Sequence, residues 1–171
     1  ALEKGISLVP EDRKGQGLVL IQSILNNLSL PNLFSFSNSW AINKNQEMKS
    51  SLQQVKNLAI KISSIENQVD SLSGGNQQKV VIGKWLMTIP KILIMDDPTR
   101  GVDVGAKYEI YKLMNELAEK GVSIIMISSE LEEVLGMSDR VLVMHEGRSN
   151  GTLAISEATQ EKIMALATGI A

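Results

Sequence analysis

The sequence predicts an α/β fold in which a mostly parallel sheet is accompanied by a helical subdomain. Residues 91–145 alternate between short apolar runs and stretches with helical spacing, which is the order expected of a parallel, doubly wound sheet. The run from Ile92 to Met95 is apolar at successive positions, so both faces of this strand are predicted to be covered. Residues 18–90 read as mostly helical, and we expect them to pack beside the sheet.

Prolines and polar runs divide the first half of the chain. A strand is predicted from Gly5 to Val9, ended by Pro10, and a charged loop containing glycines follows from Glu11 to Gly17. The other predicted elements are a helix over residues 21–30, a loop over 32–45, a helix whose apolar face carries Met48, Leu52, Val55, Leu58 and Ile62, a turn over 71–75 and a helix over 75–88.

The clearest helical pattern lies in the second half, over residues 104–120. Asp103 is a suitable N-cap, Gly121 a suitable C-terminal stop, and the apolar stripe consists of Ile110, Leu113, Met114, Leu117 and Ala118. The remaining predictions are a buried strand over 122–128, a helix over 131–137, a strand over 141–145, a hairpin punctuated by Glu146-Gly147 and Asn150-Gly151, and a helix over 159–168.

Composition excludes several kinds of function. The chain has 171 residues with 17 basic and 19 acidic side chains, so its net charge of -2 gives no argument for nucleic acid as a partner. Without cysteine it has no disulfide or thiolate metal site, and the single histidine, His145, cannot form a histidine cluster. No apolar run approaches the roughly 18 residues that span a bilayer. Ala1 to Gly5 is neither a signal peptide nor a natural start, so we expect a longer parent protein.

The most informative motif is LSGGNQQK, at residues 72–79, because it stands where a helix is predicted to begin. Backbone N–H groups and the positive end of the helix dipole favour an anion there, and glycines allow a phosphate to approach the backbone. A serine N-cap before a flexible turn is the alternative explanation of a bare SGG, but the complete string is more specific. The residues expected to reach the anion are Ser73, Gly74, Gly75, Asn76 and Gln77.

Two carboxylates, Asp96 and Asp97, follow the apolar run that ends at Met95. Ligands bind at the carboxyl edge of open α/β sheets. Because side chains alternate along a strand, one carboxylate can coordinate Mg²⁺ while the other orients an attacking water; a pair of acids beginning a loop is the alternative. The order of the two motifs predicts nucleotide chemistry, although no G-x-x-x-x-G-K-[ST] phosphate loop occurs in these 171 residues.

These motifs resemble the ATP-binding cassette family, and most closely the second cassette of the fused two-cassette ATPases of bacterial ribose-, galactose- and xylose-type importers. The resemblance is carried by LSGGNQQK (72–79), ILIMDDPTRGVDVGAK (92–107), ISSELEEV (127–134), VPEDRK (9–14) and SDRVLVMHEG (138–147). It implies a partial P-loop NTPase-like domain without the Walker A region. Its α/β core would be residues 1–17 and 91–145, with a helical subdomain over 18–90 and a C-terminal hairpin and helix over 146–171.

The resemblance also implies roles for single residues. Ser73, Gly74 and Gly75 would form the signature loop, which contacts the γ-phosphate of ATP held by the opposite cassette. Asp96 would be the Walker B magnesium carboxylate. Asp103 would belong to the D-loop, which meets the partner cassette.

Three positions depart from the general pattern of the family. Asp97 stands where the family usually has the catalytic Glu, and it is one methylene shorter. Ser129 occupies the place of the switch His and cannot supply a cation to developing phosphate charge. Glu11 occupies the place of the Q-loop Gln, which senses the transport subunit. These departures predict that the chain contributes mainly in trans, through its signature loop.

The cofactors implied by the resemblance are ATP and Mg²⁺. The implied partners are the N-terminal cassette of the same protein or a second copy, transmembrane permease subunits and, indirectly, a periplasmic or extracellular sugar-binding protein. No nucleic acid is expected, and the implied location is the cytoplasmic face of the cell membrane, as a peripheral protein.

Three functions are weighed on the sequence alone. The first is a part of a sugar importer ATPase that contributes its signature loop, Walker B strand and D-loop to hydrolysis. The second is a degenerate cassette that dimerises and docks a membrane subunit without hydrolysing ATP. The third, a chromosome-maintenance or repair ATPase, requires coiled coils and a basic surface, and the sequence has neither heptads nor a basic excess.

Overall fold

The computed structural model describes residues 1–38 and 41–169. The chain forms two compact units, Ala1–Ile125 and Met126–Ala171, each with its own helices and strands. The helices are α1 (Ile24–Ser29), α2 (Lys44–Asn57), α3 (Gly74–Leu86), α4 (Val104–Glu119), α5 (Leu131–Met137) and α6 (Gln160–Thr168). The strands are β1 (Ile6–Val9), β2 (Ser37–Asn38), β3 (Ala41–Ile42), β4 (Ile92–Asp96), β5 (Ser123–Ile127), β6 (Arg140–His145) and β7 (Arg148–Ala154).

A three-stranded sheet in the order β1-β4-β5 includes β1, β4 and the first residues of β5 from the first unit. β1 and β4 run parallel in a register that sets Ile6 opposite Ile92 and Val9 opposite Met95. Val9, Leu93 and Met95 are completely buried, and the other residues of β4 are half-buried. The predicted α/β class with a parallel sheet is therefore confirmed, and the sheet carries Asp96 at its carboxyl edge.

α3 passes through the centre of the helical part of this unit. Val80, Val81 and Ile82 are completely buried at successive positions, so the helix is covered on most of its circumference. Gly83 permits close contact with α1 and α2, since a Cβ there would lie 2.8 Å from a methyl carbon of Leu58 and 3.1 Å from one of Leu28. Burial on all sides fixes the direction of α3 and hence the place where its first turn is exposed.

The predicted apolar face of α2 is confirmed only in part, because Val55 and Leu58 are buried as expected while other members of the face are not. The buried residues of this helix are Glu47, Ser51 and Val55, whereas Leu52 is 46% exposed. Glu47 can be buried because its Oε1 accepts a 2.6 Å hydrogen bond from the hydroxyl of Ser29. Glu47 Oε2 and Ser51 Oγ have no hydrogen-bond partner among the described residues, so this polar stripe is only partly satisfied, and an apolar periodicity does not reveal it.

Other elements of the first unit also differ from prediction. A helix was predicted over residues 21–30, but the observed α1 is shorter. The region 32–45, predicted as a loop, overlaps a 3₁₀ turn, Leu30–Phe36, and contains the paired strands β2 and β3. Residues 39 and 40 of that predicted loop lie outside the described part. β5 forms as predicted, but it is not buried, since Ile125 is 52% exposed. A run of isoleucines predicts a strand, whereas its burial depends on neighbours that the run does not specify.

The second unit is an antiparallel hairpin with two helices. β6 pairs with β7, and the turn between them has Glu146 and Gly147 at positive φ (45° and 77°), which confirms the predicted turn. Val141 and Val143 of β6 form the core with Ile163 of α6. The expectation that residues 141–145 join the parallel sheet is wrong, because in the described residues this strand pairs with β7. Asn150-Gly151 lies within β7 and not at a turn.

One lysine of α3 is buried and anchors the loop that follows β1. Lys84 Nζ donates a 2.6 Å hydrogen bond to the carbonyl oxygen of Gly17 and lies 5.5 Å from the centre of the Trp85 ring. Burial lowers the pKa of Lys84. The folded protein therefore holds this proton less tightly than the unfolded chain does.

This burial predicts a pH dependence of stability. Between the lowered pKa of Lys84 and about 10.4, the value of an exposed lysine, the unfolded chain binds more protons than the folded one, so this lysine makes stability rise with pH. The Lys84→Met variant should lose that contribution. Urea unfolding free energies at pH values from neutral to alkaline, with the exposed Lys14→Met as control, measure it. An equal pH dependence in wild type and Lys84→Met would contradict the assignment.

Candidate functional site

The first turn of α3 is organised by the side chain of Asn76. Ser73 is the N-cap residue, and its Oγ accepts a 3.0 Å hydrogen bond from Asn76 Nδ2. Asn76 Oδ1 in turn accepts a 2.9 Å bond from the backbone N–H of Lys61. Because Ser73 Oγ is already an acceptor here, its own O–H can be donated to a further acceptor. Asn76 thus prepares a hydroxyl donor beside the first backbone amides of the helix.

The first turns of α3 and α4 border the same cleft. Gly75 and Ala106 are so close that a Cβ on Gly75 would lie 2.6 Å from that of Ala106. The cleft has a volume of about 220 Å³ and is lined by Lys61, Ser73, Gly75, Asn76, Asp103, Gly105, Ala106 and Glu109. The start of α3, the serine hydroxyl and Lys61 favour an anion, whereas the carboxylates of Asp103 and Glu109 line the same cleft and are engaged by Ala106 N and by Lys79.

An N-cap and an ion pair support this cleft. Asp103 Oδ1 accepts a 2.9 Å hydrogen bond from Ala106 N, which confirms Asp103 as the predicted N-cap of α4. Buried Lys79 of α3 pairs with Glu109 of α4 at 2.8 Å and also donates to the carbonyl of Ala59 at 3.2 Å. The bond from Lys79 holds the pKa of Glu109 below its usual value. The second half of the octapeptide therefore ties α3 to α4.

Gln77 corrects one prediction about the octapeptide. It was expected to reach the same anion as Asn76, but it is buried and does not line the cleft. Its Nε2 donates to the carbonyl of Val69 at 3.3 Å, in the 3₁₀ turn that precedes the motif. A glutamine one residue beyond Asn76 is rotated about 100° around the helix, which turns it towards the protein interior.

The two carboxylates lie at the carboxyl end of β4, as predicted. Asp96 is the last residue of the strand and is half-buried. Asp97 is also half-buried, and its backbone is left-handed, with φ at 40°. Its carbonyl accepts a 3.0 Å bond from Arg100 N, which closes a turn. Among residues with a side chain, Asp and Asn adopt this conformation most readily, so the short acid suits the backbone here.

The loop after β1 is bound to the loop after β4. Glu11 forms an ion pair with Arg100. Arg13 donates from Nη1 to the carbonyl of Arg100 at 2.7 Å and from Nη2 to that of Gly101 at 2.9 Å. The structure thus brings Glu11 to the chain segment that leads from Asp97 to Asp103.

Sequence reasoning did not single out Arg13 or Lys61. The position of Arg13 in the VPEDRK motif could have pointed to it, but an arginine in a charged loop is usually solvated. Lys61 lies outside every motif considered. Only the fold brings Lys61 to the octapeptide, 15 residues further along the chain.

Ser129 belongs to the second unit and is exposed in the bend between β5 and α5.

Two kinds of site are absent from the described residues. Within residues 1–38 and 41–169 no cluster of three or more His, Asp or Glu side chains is arranged to hold a metal ion. None of the helices in this part of the chain combines the length and the apolar character needed to cross a bilayer.

Comparison with known proteins identifies the protein family of the chain. A sequence model of the family described as ABC transporter matches residues 1–100, more than half of the chain. The chain belongs to the ABC transporter family. The matched region includes the paired strands β1 and β4, the octapeptide and the carboxylate pair of the first unit.

Curated ABC proteins match almost the whole chain. A ribose import ATP-binding protein of Bacillus licheniformis is 59% identical over 169 residues, which is 99% of this chain and 34% of that protein. A xylose import ATP-binding protein of Thermoanaerobacter pseudethanolicus is 57% identical over the same shares. The chain therefore spans about a third of the length of these relatives.

Solved ABC cassettes share the fold. A dimeric ATP-binding cassette in a post-hydrolysis state, bound to ADP and Pi, aligns with a TM-score of 0.74 and 22% identity over 89% of this chain and 63% of that one. A nucleotide-free ATP-binding cassette from an ABC transporter aligns with a TM-score of 0.76 and 24% identity over 98% of this chain and 66% of the other. Both belong to the predicted fold class.

The contact between Gly75 and Ala106 yields a stability prediction. Gly→Ala inside a helix ordinarily stabilises by up to about 1 kcal/mol. Gly75→Ala should instead destabilise by about 1–3 kcal/mol, because the new Cβ would overlap that of Ala106. Gly136→Ala in α5 is the matched control, since nothing lies within 4 Å of its added Cβ. Urea unfolding followed by far-UV circular dichroism compares the two; similar effects at both positions would refute the close contact.

Proposed function

We propose that this ABC chain is part of the ATP-hydrolysing subunit of a sugar importer and acts chiefly on ATP held by another cassette. The observation that carries the proposal is the common cleft at the first turns of α3 and α4, which combines a serine hydroxyl, backbone amides and Lys61. The ribose and xylose import proteins that match the chain support the class of transport. Because the chain spans only a third of them, hydrolysis and transport are our inference.

The donors at this cleft fit the polyphosphate tail of ATP. In the proposal, Ser73 donates its hydroxyl and Gly74 and Gly75 offer amides to the terminal phosphate, while Asn76 fixes the hydroxyl. Lys61 adds positive charge to the cleft that it lines. Such donors lower the barrier most when they meet charge that develops in the transition state.

The carboxylate edge has a second role in the proposal. Asp96 would hold Mg²⁺, which neutralises phosphate charge when bound and usually needs only one or two protein carboxylates. Asp97 would orient the attacking water as a general base. Its side chain is shorter than glutamate, and displacements of about 1 Å can cost on the order of 100-fold in rate. We therefore assign the weaker catalytic contribution to this edge.

The remaining roles follow the family resemblance. Asp103 is proposed to meet the partner cassette, which is the N-terminal cassette of the same protein or a second copy. Glu11 is proposed to respond to the permease, and Ser129 to occupy the switch position without a cationic function. Transmembrane permease subunits and a sugar-binding protein outside the membrane complete the proposed assembly, at the cytoplasmic face of the membrane.

A docking cassette that does not hydrolyse ATP is the second candidate. Two observations favour it, namely the short acid at Asp97 in a left-handed backbone and the hydroxyl at Ser129. In this alternative the chain would dimerise and bind the permease, and its signature loop would have no effect on turnover. The two candidates differ in what a change at Ser73 does.

We predict that Ser73→Ala in the complete transporter lowers ATP turnover at least about tenfold, because a donor to developing phosphate charge is lost. Asp97→Asn, which retains the size of the side chain, should lower turnover less than about threefold, because we assign this edge the weaker catalytic contribution. Phosphate release by the purified, reconstituted transporter measures both.

The matched control is Ser35→Ala, since the Ser35 hydroxyl is exposed and donates to the carbonyl of Asn32. It should leave turnover unchanged. A greater loss for Asp97→Asn than for Ser73→Ala would refute the asymmetry, and no loss for Ser73→Ala would favour the docking cassette.

A further inference from the structure

The guanidinium of Arg13 joins three separate segments of the first unit. Arg13 begins the π-turn Arg13–Gly17, which is capped by Asp12. Its two terminal nitrogens bond consecutive carbonyls of the loop after β4, those of Arg100 and Gly101. Its Nε is buried and has no hydrogen-bond partner in the described part of the chain, so the two terminal nitrogens carry its bonding.

The first turn of α3 packs on the same guanidinium. A Cβ on Gly74 would lie 3.0 Å from Arg13 Nη2 and 3.1 Å from the carbonyl oxygen of Gly101. A Cβ on Gly101 would lie 3.3 Å from Arg13 Nη1, and Gly101 has a positive φ of 65°. Glycine at both positions is thus required for the approach, and the octapeptide, the loop after β4 and Arg13 form one contact.

The fork geometry of arginine explains why this position needs that residue type. Two consecutive carbonyls a few ångströms apart can each accept from a different nitrogen of a planar guanidinium, and both bonds are charge-assisted. A lysine ammonium is a single point charge and does not fix two carbonyls in one plane. The bonds therefore hold the backbone of residues 100–101 in one orientation relative to Gly74.

From this geometry we propose that Arg13 is a positioning residue for the composite nucleotide site. It holds the loop that leads to Asp103 at a fixed distance from the signature loop, so that both meet the partner cassette together. The ion pair between Glu11 and Arg100 is a second tie between the same two loops. A shift of the Glu11–Gly17 segment would thereby be passed to residues 100–103. This role rests on the proposed function, because it concerns a site completed by another cassette.

Two variants of the complete protein test the role. Arg13→Ala should accelerate hydrogen exchange of the Arg100 amide, which bonds Asp97 O, at least about fivefold, because local opening of the loop is no longer opposed. It should also lower the kcat of ATP hydrolysis about tenfold with little change in KM, since nucleotide is bound elsewhere. Arg13→Lys should restore neither the exchange rate nor kcat, because a single ammonium charge cannot replace the two donors of a planar guanidinium.

Controls separate this role from general stability and from the proposed function. Arg148→Lys, at an exposed position of β7, and Lys14→Ala, next to Arg13, should change neither exchange nor turnover. Unchanged exchange in Arg13→Ala, or full rescue of kcat by Arg13→Lys, would overturn the proposal. The proposal would also be overturned if Arg13→Ala showed faster exchange with a normal kcat while Ser73→Ala still lowered turnover. If Ser73→Ala has no effect either, the proposed function itself fails.

Discussion

Close packing between Gly75 and Ala106 is the contact on which the candidate site depends. With hydrogen in place of a methyl group at residue 75, the first turns of α3 and α4 approach until their N-termini border one cleft. Each helix start carries backbone N–H groups without intrahelical acceptors, and the start of α4 is capped by the Asp103 carboxylate whereas Ser73 caps α3 without a charge. The ion pair between Lys79 and Glu109 links the same two helices one turn further on. Neither helix alone would give this arrangement of donors.

Most of the basic side chains discussed for the first unit make contacts within their own fold. Lys79, Lys84 and Arg13 are directed to carbonyl oxygens or a carboxylate of their own fold, and Arg100 is paired with Glu11. Lys79 and Arg100 are neutralised by carboxylates, whereas Lys84 and Arg13 hydrogen-bond backbone carbonyls and keep their charge. Lys61 differs, because its backbone N–H bonds Asn76 while the residue lines the cleft. Lys61 thus offers a positive charge to a bound anion, beside the carboxylates of Asp103 and Glu109 that line the same cleft.

The sequence predicted those elements whose signals are local. α4 has an N-cap, a regular stripe and a terminal glycine, and it formed within one residue of prediction. The strand before Asp96 and the helix start at Ser73 were likewise found where their motifs indicated. Each of these signals depends on neighbours a few residues away, so the sequence contains all of the required information.

Features that depend on distant partners escaped prediction. Buried Glu47 of α2 is bonded by the hydroxyl of Ser29, 18 residues away, and Arg13 donates to carbonyls that lie 87 and 88 residues away. The exposure of β5 depends on which segments cover it. Tertiary contacts decide these cases, and no periodicity in the chain encodes them.

The central claim is that the start of α3 meets a polyphosphate bound by another cassette. A structure of the complete protein with a non-hydrolysable ATP analogue and Mg²⁺ tests it most directly. The account predicts the terminal phosphate of that nucleotide at hydrogen-bond distance, about 3 Å, from Ser73 Oγ and the Gly75 amide. A nucleotide-bound assembly in which this helix start faces solvent, or is covered by a surface without nucleotide, would contradict it.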